Sequence, residues 1–267
     1  MWYYYTMKVI SLFKIRSMDR RINVDYKRDL FENAELNLSV DCVIFTIKED
    51  SLRVLLTKIV PDSDWMLPGG FIKKDEEADL AASRILLQRS GLSDIFLQQF
   101  KIFSDPDRFS FNLLDIDEFK DKSYFPDRVI SIGYFALVNF ESFRLTGGLL
   151  HEEAVWAEVE ELPELLFDHN DIVQDAREAL RKELFFRPIA YNLLPEKFTM
   201  PELQKLYEII LDRTLERSSF QKRMLKWDIY ERLEERKEGV AHKRPYLYRF
   251  DEKKYQLAVK KGLRFGI

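Results

Sequence analysis

The 267-residue chain reads as an α+β protein in two parts: a sheet-and-helix domain, then a small basic unit of helices closed by a two-stranded flap. Three observations lead there. Domains commonly run about 100–150 residues, so this length suits two. With 46% hydrophobic and 14% aromatic residues and only 9 Gly and 9 Pro, the composition supports buried cores and excludes wholesale disorder. Charge is divided unevenly: residues 187–267 hold 19 Lys+Arg against 12 Asp+Glu, a balance of +7, which leaves 23 against 34, or −11, for residues 1–186. An acidic body joined to a basic end suits a protein whose second half approaches a polyanion, most often nucleic acid; a solvated lysine-rich surface is the plain alternative.

Residues 1–37 are set apart as an N-terminal extension. Met1–Phe13 is apolar and aromatic, but Lys8 interrupts it and no small-residue cleavage site follows. No run approaches the roughly 20 apolar residues of a membrane span, so a cytoplasmic protein without membrane contact is expected, with Met7 and Met18 as alternative starts. Leu38–Thr46 and Leu52–Lys58 read as a strand pair across the polar turn Lys48–Ser51. The single cysteine, Cys42, lies inside the first of these runs. It can form neither an internal disulfide nor a thiolate cluster, and reads as a buried, inert thiol.

Gly69 and Gly70, in Trp65–Phe71, mark a tight loop, and Glu76–Ser90 reads as a helix with Leu80, Ser83, Ile85 and Leu87 at helical spacing and Gly91 as its stop. Ile95–Phe103, Val129–Val138 and Ala154–Val159 read as strands around a long polar excursion, Ser104–Arg128. Leu162–Leu184 reads as a helix opened by Pro163, which completes a first domain at residues 38–184. Residues 185–197, with Pro188 and Pro195, read as a linker.

From Phe198 the pattern turns to short helices, in a second domain at residues 198–267. Thr199 and Glu202 make a capping box with Pro201 in the first turn, and that helix should run to about Leu211. A second helix begins near Ser218, its apolar stripe being Phe220, Met224, Leu225 and Trp227. Ile229–Leu233 and Tyr246–Phe250 then bracket a basic tip, Glu234–Arg244. Helix, turn, helix and flap in this order predict a winged helix-turn-helix. Arg217, Ser219, Gln221, Lys222, Arg223 and Lys226 are the candidate DNA-reading residues: arginine pairs bidentately with guanine and glutamine with adenine, while lysine and serine hold phosphates. His242, Lys243 and Arg244 at the flap tip are expected to meet phosphate or the minor groove.

The glycine stretch and the helix after it resemble the Nudix family, whose signature runs G-x5-E-x7-R-E-U-x-E-E-x-G-U with U aliphatic. Starting the frame at Gly70 puts Glu76, Arg84, Leu86, Gly91 and Leu92 on matching positions. The three metal-binding glutamate positions fall on Ile85, Gln88 and Arg89. Diphosphate hydrolysis needs divalent cations held by clustered carboxylates, and Arg89 would put a fixed positive charge where the cation should sit. No metal and no catalytic residue is therefore expected. Asp75, Glu77 and Asp79 read as solvent-facing residues complementing the helix dipole. His169 reads as a structural, hydrogen-bonding histidine.

Ala154–Trp156, Leu162-Pro163, Phe167–His169 and the run Leu193–Glu208 extend the resemblance to the Nudix-related transcriptional regulators, which include NAD-metabolism repressors and arabinose-responsive regulators. The resemblance implies a Nudix-like α/β/α sandwich that senses a small molecule and a winged helix that binds an operator, usually as a homodimer. A regulator of sugar (arabinose-type) catabolism, binding a sugar or nucleotide-sugar effector, is the leading expectation. The alternatives are a regulator sensing ADP-ribose or NAD metabolites, a divergent nucleoside-diphosphate hydrolase, and an RNA- or protein-binding adaptor.

Overall fold

β1 (Ala34–Lys48) is longer than the apolar run that announces it, and it is the central strand of the larger sheet. In this computed structural model, residues 34–58, 63–108, 128–140, 153–189, 193–239 and 244–261 are described. His242 and Lys243 lie outside the described residues. Contacts divide the chain into two compact units, one of Met1–Ile44, Val54–Ala136 and Arg144–Ala176, the other of Phe45–Arg53, Leu137–Phe143 and Arg177–Ile267.

The larger sheet has the order β4-β5-β1-β2-β6, with β2 at Ser51–Thr57, β4 at Gln98–Phe103, β5 at Ile130–Leu137 and β6 at Ala154–Glu158. Glu49 and Asp50, at φ 52° and 63°, turn β1 into β2. Positive φ at both central residues matches the right-handed twist of paired strands. β3 (Gly69–Lys73) pairs antiparallel with β1, setting Asp41 opposite Gly69 and Val40 opposite Gly70. The glycines thus belong to a strand, where a loop was expected. Neither adopts a left-handed φ; what excludes a side chain there is close approach.

α1 (Ala78–Ser90) ends at Gly91, whose φ of 78° and N–H bond to Leu87 are those of a left-handed stop. Its buried residues are Ala81, Ala82, Ile85, Leu86 and Ser90, while Leu80 and Leu87 are exposed, so of the three large apolar residues whose spacing marked the helix only Ile85 faces the core. Successive residues of a strand point to opposite faces. Accordingly the Cys42 thiol meets the Ala82 carbonyl of α1, and Asp41 turns to His169 at the start of α2 (His169–Phe186). Helices on both faces of the sheet give the α/β/α sandwich. Burial pushes the Cys42 thiol well above its ordinary pKa, in keeping with an inert role. α2 starts later than Pro163 suggested, because Asn170 folds the preceding turn onto itself. Its side chain accepts from Leu165 N–H and donates to the Pro163 carbonyl.

In the second unit, α3 (Met200–Leu211) carries the complete capping box, Thr199 accepting from Glu202 N–H and Glu202 accepting from Thr199 N–H. Arg181 of α2 donates to the Ile210 carbonyl in the last turn of α3, and Lys205 of α3 pairs with Asp50 at 3.3 Å. α4 (Arg217–Lys226) buries Phe220 and Met224. Tyr207 of α3 meets Phe220 edge-on with ring centroids 5.3 Å apart. Each such buried side chain contributes about 1.5–3 kcal/mol through apolar burial. Leu225 is exposed and Trp227 is buried, so the stripe runs Phe220, Met224, Trp227 without Leu225.

β7 (Phe198–Thr199), β9 (Tyr246–Phe250) and β8 (Tyr230–Arg236) form a three-stranded sheet in the order β7-β9-β8. β8 continues past Leu233, so Glu234, Glu235 and Arg236 belong to a strand and the flap tip is shorter than expected. β7 and the helix α5 (Glu252–Lys260) were not expected from the sequence. A two-residue strand has no legible period, and α5 buries only Ala258.

Candidate functional sites

The remodelled signature occupies β3 and α1. Glu76 accepts the Lys73 N–H through Oε2 and two Arg84 donors, Nε and Nη2, each at 2.6 Å. Arg84 also donates to the Phe71 carbonyl at 3.0 Å, which ties the strand, the turn and the helix together. Burial would raise the Glu76 pKa; the Arg84 hydrogen bonds outweigh it and hold the carboxyl below its ordinary value.

The three positions of the missing carboxylates are each absorbed into this frame. A Cβ built on Gly70 would lie 3.2 Å from Ile85 Cδ1, so the isoleucine packs directly on the glycine strand. Gln88 Oε1 accepts from Arg84 Nη1 at 3.0 Å, and Arg89 Nε donates to the Gly69 carbonyl at 3.2 Å. This donor set does not fit a hard divalent cation: it offers one amide oxygen, an aliphatic chain and a guanidinium. Among the described residues no group of three or more His, Cys, Asp and Glu side chains is placed to hold a metal. Asp79 does not merely face solvent; its Oδ1 accepts from Tyr134 Oη at 2.5 Å.

Beneath β3 lies a buried polar cluster that sequence reasoning missed except for His169. Arg108 donates through Nε and Nη2 to Asp168 at 2.9 and 2.8 Å, and through Nη2 to Asp41 Oδ2 at 3.2 Å. Ser131 Oγ donates to the same Asp41 oxygen at 2.6 Å. His169 accepts the Leu67 N–H on Nδ1 and sets Nε2 3.5 Å from Asp41 Oδ1. Burial would raise the Asp41 pKa, yet His169, Arg108 and Ser131 hold it down at about 2. The available sign was an aspartate inside an otherwise apolar strand.

In the second unit, Arg217, Ser219, Lys222, Arg223 and Lys226 are exposed on α4, as is Arg244 on the flap, while Gln221 is half-buried. Among the described residues the α4 cations meet no carboxylate. Cations nearby in the same unit do: Lys197 pairs with Glu235 at 2.7 Å, Arg249 with Glu231 at 2.7 Å and Lys254 with Asp228 at 2.8 Å. Glu216 accepts the Ser218 and Ser219 N–H groups at the start of α4, and these bonds hold its carboxyl at about 2. The helix N-terminus is thereby neutralised from within, which leaves anion contact to the side chains.

Residues 190–250 match the family model described as the NrtR DNA-binding winged helix domain. The chain is 30% identical over 241 residues to the ADPR responsive transcriptional repressor NtrR of Acinetobacter baylyi, covering 85% of this chain and 87% of that protein. Among solved structures it resembles Shewanella oneidensis NrtR complexed with a 27mer DNA, with a TM-score of 0.62, 23% identity, and 85% and 97% of the two chains covered. It also resembles a MutT/nudix family protein from Enterococcus faecalis, with a TM-score of 0.58, 20% identity, and 91% and 97% covered. At these identities the two structures speak for the fold alone. None of these relatives is named for a sugar.

Proposed function

The chain belongs to the NrtR family of transcriptional repressors, built from a Nudix-like ligand-sensing domain and a DNA-binding winged helix, and from that premise we propose that ADP-ribose is its effector. The sensor spans residues 38–184, the linker 185–197 and the operator-binding domain 198–267. The arabinose-type sugar expected from the resemblance gives way to ADP-ribose because the relative at 30% identity is named as ADPR responsive.

One observation carries the reading of a sensor that does not hydrolyse its ligand. Ile85, Gln88 and Arg89 hold the Nudix frame together at the positions where carboxylates would bind the metal. Arg89, steered by its bond to the Gly69 carbonyl, supplies a fixed positive charge for a diphosphate in place of a cation. The exposed cations of α4, which meet no carboxylate among the described residues, and the exposed Arg244 suit operator phosphates and base edges. A homodimer presents two such helices to two half-sites in the cytoplasm. Among the described residues no helix is long and apolar enough to cross a membrane.

ADP-ribose acts by binding two states of the protein unequally, so operator affinity must change by the same factor as effector affinity. The experiment is a gel shift with duplex DNA from upstream of the gene itself, with and without ADP-ribose, in EDTA. A shift of about 5–150-fold is expected. Unchanged operator binding at saturating ADP-ribose would remove it as effector, and release of AMP with Mg²⁺ or Mn²⁺ would establish a hydrolase instead.

A further inference from the structure

Tyr246 of β9 holds two arginines of β8 against its ring, with the guanidinium carbon of Arg236 4.0 Å and that of Arg232 4.4 Å from the ring centroid. Arg236 is further fixed by donating through Nη1 to the Arg244 carbonyl at 3.0 Å and through Nη2 to Tyr246 Oη at 2.7 Å. A guanidinium has five N–H donors, so most of them stay available.

The surroundings make this pair unusual. Both arginines are exposed, and among the described residues neither lies within ion-pair distance of a carboxylate. Acids are close at hand. Glu231 and Glu235 on the same strand are taken by Arg249 and Lys197, and Glu234, between the arginines in sequence, bridges to neither. Two like charges gathered on one ring repel each other, and among the described residues no carboxylate is placed to compensate them, since Glu231 and Glu235 are taken by other cations. A pair of exposed guanidiniums with no acid in reach among the described residues suits an anion brought by a binding partner. Contact with the ring restrains both guanidiniums in advance, which lowers the entropy lost when they grip an anion.

We propose that Arg232 and Arg236, aligned by Tyr246, clamp the phosphate backbone of duplex DNA from the body of the flap, at a contact separate from α4 and from the tip residues. The inference rests on the operator-binding reading above. Its substrate is the sugar-phosphate chain, so the contribution is to affinity and placement, with little dependence on base sequence.

The test is fluorescence anisotropy with duplex DNA from upstream of the gene across a salt series. Arg232→Ala and Arg236→Ala should each weaken binding several-fold and reduce the slope of log affinity against log salt by about 0.9, one phosphate contact apiece. Tyr246→Leu should weaken binding while keeping the wild-type slope, because both charges remain and only their alignment is lost. Arg249→Ala, whose charge Glu231 already matches, should bind as wild type. Among the described residues the Arg232 side chain makes no polar contact besides that with the ring, and an unchanged thermal midpoint in Arg232→Ala shows that its loss of binding is not unfolding. Wild-type affinity and slope in both arginine variants would overturn the clamp, as would an equal loss in Arg249→Ala. A wild-type protein that binds no duplex at all would overturn the regulator reading itself.

Discussion

Arg84 grips Glu76 through two hydrogen bonds of 2.6 Å, Nε to Oε1 and Nη2 to Oε2, and the pair fastens the start of α1 to β3. A bidentate ion pair with both side chains largely shielded from water exceeds an ordinary surface bridge. Arg84→Ala should lower stability by about 1.5–3 kcal/mol, the range for hydrogen bonds to charged groups. Urea denaturation followed by circular dichroism measures it. A cost within experimental error would show that the retained signature pair no longer holds the frame.

The cluster around Asp41 gives stability a dependence on acid. Asp41 has its folded pKa depressed to about 2 from an ordinary 3.8, so its contribution is complete above about pH 4 and is lost as pH falls toward 2. Glu76 is shifted in the same direction and adds to the trend. Unfolding midpoints measured at falling pH should drop through this window, and Asp41→Asn should flatten the drop. An equally steep drop in that variant would mean that other carboxylates govern acid unfolding.

Removing Arg108 leaves Asp41 buried without its cation. Arg108→Ala should cost about 3–5 kcal/mol, the usual effect of breaking one side of a buried charge pair. A loss below about 1 kcal/mol in chemical denaturation would show that water or His169 replaces it fully.

Gly69 and Gly70 should differ in their tolerance of a methyl group. A Cβ at Gly69 would lie 2.4 Å from Asp41 Oδ1, which Arg108, Ser131 and His169 hold in place, whereas at Gly70 it meets the end of the Ile85 side chain at 3.2 Å. Gly69→Ala should destabilise by about 1–3 kcal/mol, and Gly70→Ala by less. Thermal melts of the two variants rank them directly, and the reverse order would contradict the close approach described for β3.

On the basic face, Lys222→Ala with Arg223→Ala should weaken operator binding and reduce its salt slope by about 1.8, two phosphate contacts together. Unaltered binding in a gel shift would remove this face of α4 from the interface.

The sequence made the hairpin, α1 with its glycine stop and the capping box of α3 legible, because each depends on contacts a few residues apart. Elements whose cause lies far along the chain were misread. Gly69 and Gly70 suggested a turn; they form a strand because they pair with Asp41 and Val40 of β1 far along the chain, and a side chain is excluded at Gly69 by Asp41 and crowded at Gly70 by Ile85. Leu80 and Leu87 share the helical spacing of Ile85, but β3 covers only one side of α1, and spacing does not say which side. α5 passed unnoticed because it buries a single alanine.

Residue identity alone determined that the glutamates of the Nudix frame are gone, that α4 is cationic, and that two helices and a two-stranded flap close the chain in winged-helix order. Those are properties of local pattern and composition, and no folding is needed to count them. The tertiary structure decided what replaced the lost carboxylates and which charges remain unmatched. Arg84 and Arg89 tie α1 to β3 and Gln88 braces Arg84, Arg249 and Lys254 find acids, and Arg232 and Arg236 converge on Tyr246. The reason is physical: a charge is neutralised by whatever lies within a few ångströms of it, and that distance is set by chain segments the sequence keeps far apart.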